Sequence, residues 1–136
     1  MGGSQAVVCD ASVLVAMAFG EPASAQAHAL TRSRRLLAPH LLRYETAQVA
    51  ARNCRVAGDR ADLVAQAYIA SLRIPVRLVH PSWPAVLDLA RRTGLSAYDA
   101  SYLQIAQALS IPLATLDKRL ARAAEELGLK ANPGSG

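Results

Sequence analysis

Short apolar runs recur along the chain and are separated by longer stretches with helical spacing of their apolar positions. Short apolar runs bounded by turn residues or charges are typical of buried strands. Three such runs predict strands over residues 6–9, 74–79 and 111–116. Residues 36–38, just before Pro39, are either a brief extended segment or a loop.

The intervening stretches predict helices, several of them with clear boundary residues. Pro22 fits a first helical turn, Gly58 fits the position after a helix end, and Ser82 fits an N-cap. Short strands separated by helices indicate an α/β fold with a short parallel sheet flanked by helices on both faces. The predicted helices cover residues 11–19, 22–32, 41–57, 59 or 62 to 72, 82–94, 96–109 and 118–128.

A chain of 136 residues fits one domain better than two. We expect a single domain over residues 1–136 with its core at about residues 6–129. The Gly- and Ser-rich segments 2–4 and 132–136 are expected to be flexible ends, and residues 129–131 form at most a weak last strand.

The composition is that of a folded, basic protein, with 52% hydrophobic residues and a formal charge of +5. Thirteen of the fifteen cationic residues are arginine, which fits a polyanionic partner or a composition bias of the source genome. Cys9 and Cys54 form no zinc or disulfide pattern, which favours a reducing compartment. With no visible signal segment or membrane span, we expect a cytoplasmic protein.

Two aspartates end predicted strands. Asp10 follows the first strand and precedes Ser12 by two residues, and Asp117 follows the last strand, two residues after Thr115. Each of these carboxylates is also explained by an Asx turn or a helix N-cap. Taken singly, neither residue requires a function.

Two further acids lie on predicted helices among apolar residues. Glu45 shares a stripe with Leu42, and a glutamate there requires compensation, for which a salt bridge to an arginine is one explanation. Asp99 stands three residues after Ser96, as in a capping box, yet it also shares a face with Leu103. Capping and a functional role are compatible at this position.

Taken together, the four acids indicate a metal site. Ligands of open α/β sheets gather at the carboxyl ends of the strands, where Asp10 and Asp117 lie. Glu45 and Asp99 are near helix starts, which return to that edge when the connections are short. Four converging carboxylates repel one another, no lysine or histidine matches them, and Mg²⁺ or Mn²⁺ is the ion that hard oxygen ligands suit.

Other acid-based sites fit less well. A haloacid-dehalogenase-type phosphatase requires Asp-x-Asp after its first strand, where this chain has Asp10-Ala11-Ser12. No glycine-rich phosphate loop occurs. The three histidines share no spacing, and we expect them on the surface or in loops: His28, His40 and His80.

The spacing of the acids resembles that of the PIN-domain ribonucleases. Asp10 follows an apolar strand, Glu45 lies early in a helix, and Asp117 stands eighteen residues beyond Asp99. The local sequences are Val7-Val8-Cys9-Asp10, Ser96-Ala97-Tyr98-Asp99-Ala100-Ser101-Tyr102 and Thr115-Leu116-Asp117. The resemblance covers about residues 6–129, and the chain length is similar to that of VapC toxins of toxin–antitoxin pairs. One departure is the C-terminus, where members often have a clear apolar strand.

The resemblance implies metal-dependent cleavage of RNA. Asp10, Glu45 and Asp99 would be the principal Mg²⁺ ligands, with Mn²⁺ as a possible substitute, and Asp117 would support a second ion. One ion would activate a water for in-line attack on phosphorus, and the other would stabilise the leaving 3′ oxygen.

The resemblance also implies supporting groups. Ser12 and Thr115 would be hydroxyls that orient carboxylates or waters. Arginine-rich segments are candidates for holding the RNA backbone, although solvated helix faces explain them equally well. These arginines are Arg32, Arg34, Arg35, Arg91, Arg92, Arg119 and Arg122.

The implied partners are an RNA substrate, a VapB-like antitoxin and a second copy of the chain, with no membrane. The helices over residues 22–30 and 41–57 could supply the dimer interface. Two alternatives stay open at this stage: a PIN-domain nuclease of RNA processing outside toxin–antitoxin systems, and a non-catalytic PIN-like binding module.

Overall fold

A computed structural model describes residues 5–133 of the chain. The expected flexible segment 2–4 and residues 134–136 lie outside the described residues. The strands are β1 (Gln5–Cys9), β2 (Arg34–Pro39), β3 (Val76–Val79) and β4 (Leu113–Ala114). The helices are α1 (Ala11–Ala18), α2 (Ser24–Thr31), α3 (Leu41–Ala57), α4 (Ala61–Ser71), α5 (Trp83–Thr93), α6 (Ala97–Leu109) and α7 (Lys118–Glu126), with a 3₁₀ turn at Gly58–Arg60.

The four strands form one parallel sheet in the order β3-β2-β1-β4, with helices on both sides. The predicted α/β class with a short parallel sheet is therefore confirmed. Val7, Val8 and Cys9 of β1 are fully buried. This burial on both faces of the sheet explains why β1 is a continuous apolar run rather than an alternating one.

Residues 36–38, predicted as either a brief extended segment or a loop, lie in strand β2. These residues are the centre of a six-residue strand that pairs with β1 on one side and β3 on the other. The isolated sequence gave a weak strand signal here because Arg34 and Arg35 open the strand and Pro39 closes it. Pairing on both sides stabilises the extended conformation.

Strand β4 is much shorter than the strand predicted over residues 111–116. Pro112 has no N–H to donate, although its carbonyl accepts a hydrogen bond from Val8 N at 2.9 Å. Beyond Ala114 the next three backbone amides donate to side-chain oxygens instead of to a neighbouring strand. The weak last strand over residues 129–131 is reduced to one parallel bridge between Ala131 and Leu113.

Helices α3 and α6 carry two of the acids and begin at the same edge of the sheet. Helix α3 has the predicted bounds, and Gly58 follows it with a φ of +58°, a conformation that favours glycine. Helix α6 begins after Ser96, whose hydroxyl accepts the amide of Asp99 at 3.1 Å, as predicted for a capping interaction. Residues 100–106 of α6 are all buried, so this helix is fixed firmly against the sheet.

No helix within residues 5–133 is long and apolar enough to cross a membrane.

Candidate active site

Asp10 lies at the carboxyl end of β1 and is the most firmly held acid of the site. Its side chain is buried, with 7% exposure, and its amide donates to the carbonyl of Ala114 at 3.0 Å. The hydroxyls of Ser12 and Thr115 both donate to Oδ2 at 2.7 Å. Within the described residues, none of the side-chain hydrogen bonds of this aspartate goes to Oδ1. The two hydrogen bonds to Oδ2 therefore orient the carboxylate, and Oδ1 is left available for another partner.

The same two hydroxyls also fix the chain beyond β4. The Ser12 Oγ accepts the amide of Leu116 at 3.0 Å, and the Thr115 Oγ1 accepts the amide of Asp117 at 3.0 Å. The Thr115 amide donates to Asn132 Oδ1 at 2.8 Å. Each hydroxyl thus joins the ends of β1 and β4, which places the last acid near the first.

The capping explanation holds for Asp117 and not for Asp10. Asp117 Oδ1 accepts the amides of Arg119 at 2.9 Å and Leu120 at 3.3 Å at the start of α7. Asp10 occupies the position before α1 but makes no side-chain cap. Its carboxylate instead receives two hydroxyls, one of them from a residue 105 positions away.

A hydrogen bond from a tyrosine compensates the partly buried charge of Glu45. The phenol of Tyr102 on α6 donates to Glu45 Oε1 at 2.5 Å. The salt bridge to an arginine considered from the sequence does not form within residues 5–133, where the ion pair found joins Arg92 and Asp88 on α5. Burial raises the pKa of Glu45, the Tyr102 bond opposes this, and the charges of Asp10 and Asp99 raise it further.

Asp99 has a raised pKa as well. Burial is the main cause, and the neighbouring charges of Asp10 and Asp117 add to it. The guanidinium of Arg119 and a hydrogen bond with Ser96 lower the pKa in opposition. Asp99 and Glu45 therefore both carry an unfavourable charge that a nearby cation would relieve.

The four acids are close enough to influence one another, but they do not enclose an ion as they stand. Across residues 5–133, no three aspartate, glutamate, histidine or cysteine side chains are grouped tightly enough to hold a metal. The donor chemistry nevertheless fits a hard divalent ion, because each acid offers carboxylate oxygens at one edge of the sheet.

Sequence reasoning assigned no role to two side chains of this region. Tyr102 is three residues after Asp99, so helical spacing alone indicated that both lie on one side of α6. Asn132 gave no signal, because its bond to Thr115 spans 17 positions and depends on how the C-terminal segment returns to β4.

Comparison with known proteins identifies the family of this fold and site. A family model described as the PIN domain matches residues 7–126, which is most of the chain. The chain belongs to the PIN-domain family.

Individual relatives are similar over nearly the same span. The chain is 36% identical over 118 residues to VapC ribonuclease Mb0985 of Mycobacterium bovis, covering 84% of this chain and 87% of that protein. Ribonuclease VapC9 of Mycobacterium tuberculosis matches with the same identity and coverage. The crystal structure of PAE2754 from Pyrobaculum aerophilum superposes with a TM-score of 0.71 at 26% identity, covering 94% of this chain and 92% of that one.

Proposed function

We propose that this protein is a Mg²⁺-dependent ribonuclease of the VapC type, able to use Mn²⁺, which hydrolyses RNA phosphodiester bonds. The observation that carries the proposal is the carboxylate of Asp10, buried at the sheet edge and oriented through Oδ2 by two hydroxyls. Within residues 5–133, no side chain donates a hydrogen bond to Oδ1 of Asp10, so this oxygen is available to a cation. The names of the relatives, which are VapC ribonucleases, support the same activity.

In this proposal Asp10, Glu45, Asp99 and Asp117 hold the ion or ions. A divalent ion held by these acids would neutralise their charge and would supply the chemistry of an activated water for attack on phosphorus. Asp10 would provide the fixed carboxylate, and Glu45 and Asp99 would add theirs from the starts of α3 and α6. Asp117, whose Oδ1 already caps α7, would contribute its carboxylate from beyond the end of β4.

Other side chains of the proposed site would hold the acids in place or attract the substrate by their charge. The hydroxyls of Ser12 and Thr115 keep Asp10 in one orientation, and the phenol of Tyr102 does the same for Glu45. Arg119, near Asp99, is placed to attract the phosphate backbone of the substrate.

The proposed partners follow from the same class of protein. A VapB-like antitoxin would restrain the nuclease, with acidic residues matching the charge of +5. A homodimer would use the surfaces of α2 and α3. Light scattering at micromolar concentration tests the dimer, and a strictly monomeric species would contradict it.

Cleavage of structured RNAs with and without Mg²⁺ tests the proposed function. We expect metal-dependent cleavage by the wild type and a loss of about 100-fold or more in the Asp99→Asn variant, which stays folded because the change is nearly isosteric. Leu63→Ala, an exposed change on α4, is the matched control. A folded wild type that binds RNA without cleaving it would identify a binding module instead.

A further inference from the structure

Beside the acids, the same edge of the sheet holds a small pocket lined by aromatic rings. Its volume is about 190 Å³, smaller than the roughly 300–1,000 Å³ of pockets for drug-sized ligands. The lining includes His40, His80, Trp83 and Tyr98. The chain has four tyrosines, one phenylalanine, one tryptophan and three histidines, and four of these nine rings meet here.

The two imidazoles form one wall of the pocket. His40 and His80 stack with ring centroids 4.6 Å apart and planes inclined by 24°. They follow Pro39 and Val79, which are paired in neighbouring strands, so the sheet register brings them together. Their position at the carboxyl ends of β2 and β3 is the edge at which Asp10 ends β1.

The other two rings are exposed, although they belong to well-anchored helix starts. Trp83 is 63% exposed and Tyr98 is 65% exposed. The backbone beside Trp83 is fixed because the Ser82 amide donates to the buried Gln104 of α6 at 3.0 Å. Clustered exposed rings of this kind mark a binding surface, whereas single exposed apolar residues do not.

Two helices contribute residues to both the pocket and the acidic site. Tyr98 directly precedes Asp99 at the start of α6, and Leu41, a lining residue, lies one turn before Glu45 on α3. Consecutive Cα atoms lie about 3.8 Å apart, so a polymer bound at Asp99 would pass its neighbouring nucleotide close to Tyr98. Base–aromatic stacking is the interaction that such rings offer to an unpaired base.

We propose that the pocket formed by Trp83, Tyr98 and the stacked His40–His80 pair is a base-binding subsite. It holds one unpaired base of the RNA next to the scissile phosphate and orients that phosphate at the acids. This inference rests on the proposed ribonuclease function. It assigns Trp83 and Tyr98 as specificity-determining residues outside the acidic cluster.

Binding without cleavage gives the first test. Trp83 is the sole tryptophan, so its fluorescence reports the pocket directly. We expect short single-stranded oligoadenylate, added to the Asp99→Asn variant without divalent ions, to quench this fluorescence saturably. Sodium phosphate and the oligomer annealed to its complement should quench it little, and Tyr98→Ala should weaken the quenching. An unchanged spectrum with the single strand would overturn the subsite.

Kinetics give the second test. One stacked base corresponds to about a 5- to 150-fold effect, so Trp83→Ala should lower kcat/KM by about that factor. Trp83→Phe should recover most of the activity, since it keeps a π-face. Leu63→Ala, of similar exposure at 62% but on α4 and outside the pocket, should behave as wild type.

An RNA with an abasic site beside the cut bond separates stacking from folding. The wild type and Trp83→Ala should cleave it with equal kcat/KM, because the base that Trp83 holds is missing. A Trp83→Ala defect of the same size on intact and abasic RNA would overturn the proposal. Failure of the wild type to cleave any RNA would instead contradict the proposed function, and the fluorescence test would still report on the pocket.

Discussion

The acids of this protein are held in two different ways. At the strand end, Asp10 is buried, and two hydroxyls donate to a single one of its oxygens. At the helix starts, Glu45 and Asp99 are only half-buried, and burial together with neighbouring carboxylates raises the pKa of each. The carboxylate at the strand end is thus fixed in one orientation, whereas the helix starts carry charges that repel one another.

Several carboxylates lie at one edge of the sheet without unfolding the protein because they are held in these two ways. Asp10 is the acid that is both buried and held by two hydroxyls, so it defines a position. The others keep access to water, which screens their repulsion until a cation arrives. In the proposed site, one rigid carboxylate would be combined with carboxylates that are freer to respond to an ion.

The largest expected effect is the loss of metal stabilisation when both kinds of acid are changed. Mg²⁺ binding only the native wild type adds about 2.7 kcal/mol of stability at a free concentration of about 100 times Kd. The Asp10→Asn/Asp99→Asn double variant should lose most of this gain. Thermal melts with MgCl₂, compared with NaCl of equal ionic strength, measure the difference. Equal stabilisation of both proteins would place the ion elsewhere.

The next effect concerns the strand end alone. Asp10→Ala leaves the hydroxyls of Ser12 and Thr115 without their acceptor, so it should cost about 1–3 kcal/mol in the absence of metal. Asp99→Asn should leave the free energy of unfolding unchanged or raise it, because it removes a repelled charge. Urea denaturation of the two variants compares them directly. A destabilisation by Asp99→Asn as large as that by Asp10→Ala would remove the distinction between the two regions.

A smaller effect is expected where a helix-borne acid has a fixed partner. Tyr102→Phe removes the hydrogen bond to Glu45 and should cost about 0.5–1.5 kcal/mol. It should also raise the pKa of Glu45 further, since the bond favours the charged carboxylate. Denaturation of the metal-free variant measures the first effect. Tyr44→Phe, at an exposed position of α3, is the matched control and should change nothing.

The smallest effect is the pH dependence of the metal-free protein. A carboxyl with a raised folded pKa stabilises the native state fully below its unfolded pKa of about 4, and this contribution is lost as pH rises through the folded pKa. Glu45 and Asp99 both have raised pKa values, so the wild type should lose stability relative to Glu45→Gln/Asp99→Asn as pH rises above the unfolded pKa of about 4. Water screening keeps the difference small. Parallel stability curves for the two proteins would contradict the assigned shifts.

Local patterns in the sequence determined the elements and the candidate acids. Helix α3 has the predicted bounds because a long amphipathic stretch is followed by Gly58, and the cap at Ser96 needs only residues three apart. The acids were identifiable because ten carboxylates are few, and those among apolar residues require an explanation. The period of the apolar residues and the spacing of caps and acids extend over one or two helical turns. The sequence alone therefore carries the information on these features.

How these acids are held depends on contacts between residues that are distant in the sequence. Local pattern predicted a capping role equally well for Asp10 and Asp117, and the contact of Thr115 with Asp10 across 105 positions separated them. The bond from Tyr102 to Glu45 spans 57 positions, and the His40–His80 stack depends on the pairing of β2 with β3. Such contacts follow from strand register and helix packing, which no local pattern encodes, because they arise when distant segments bury their apolar faces on one sheet.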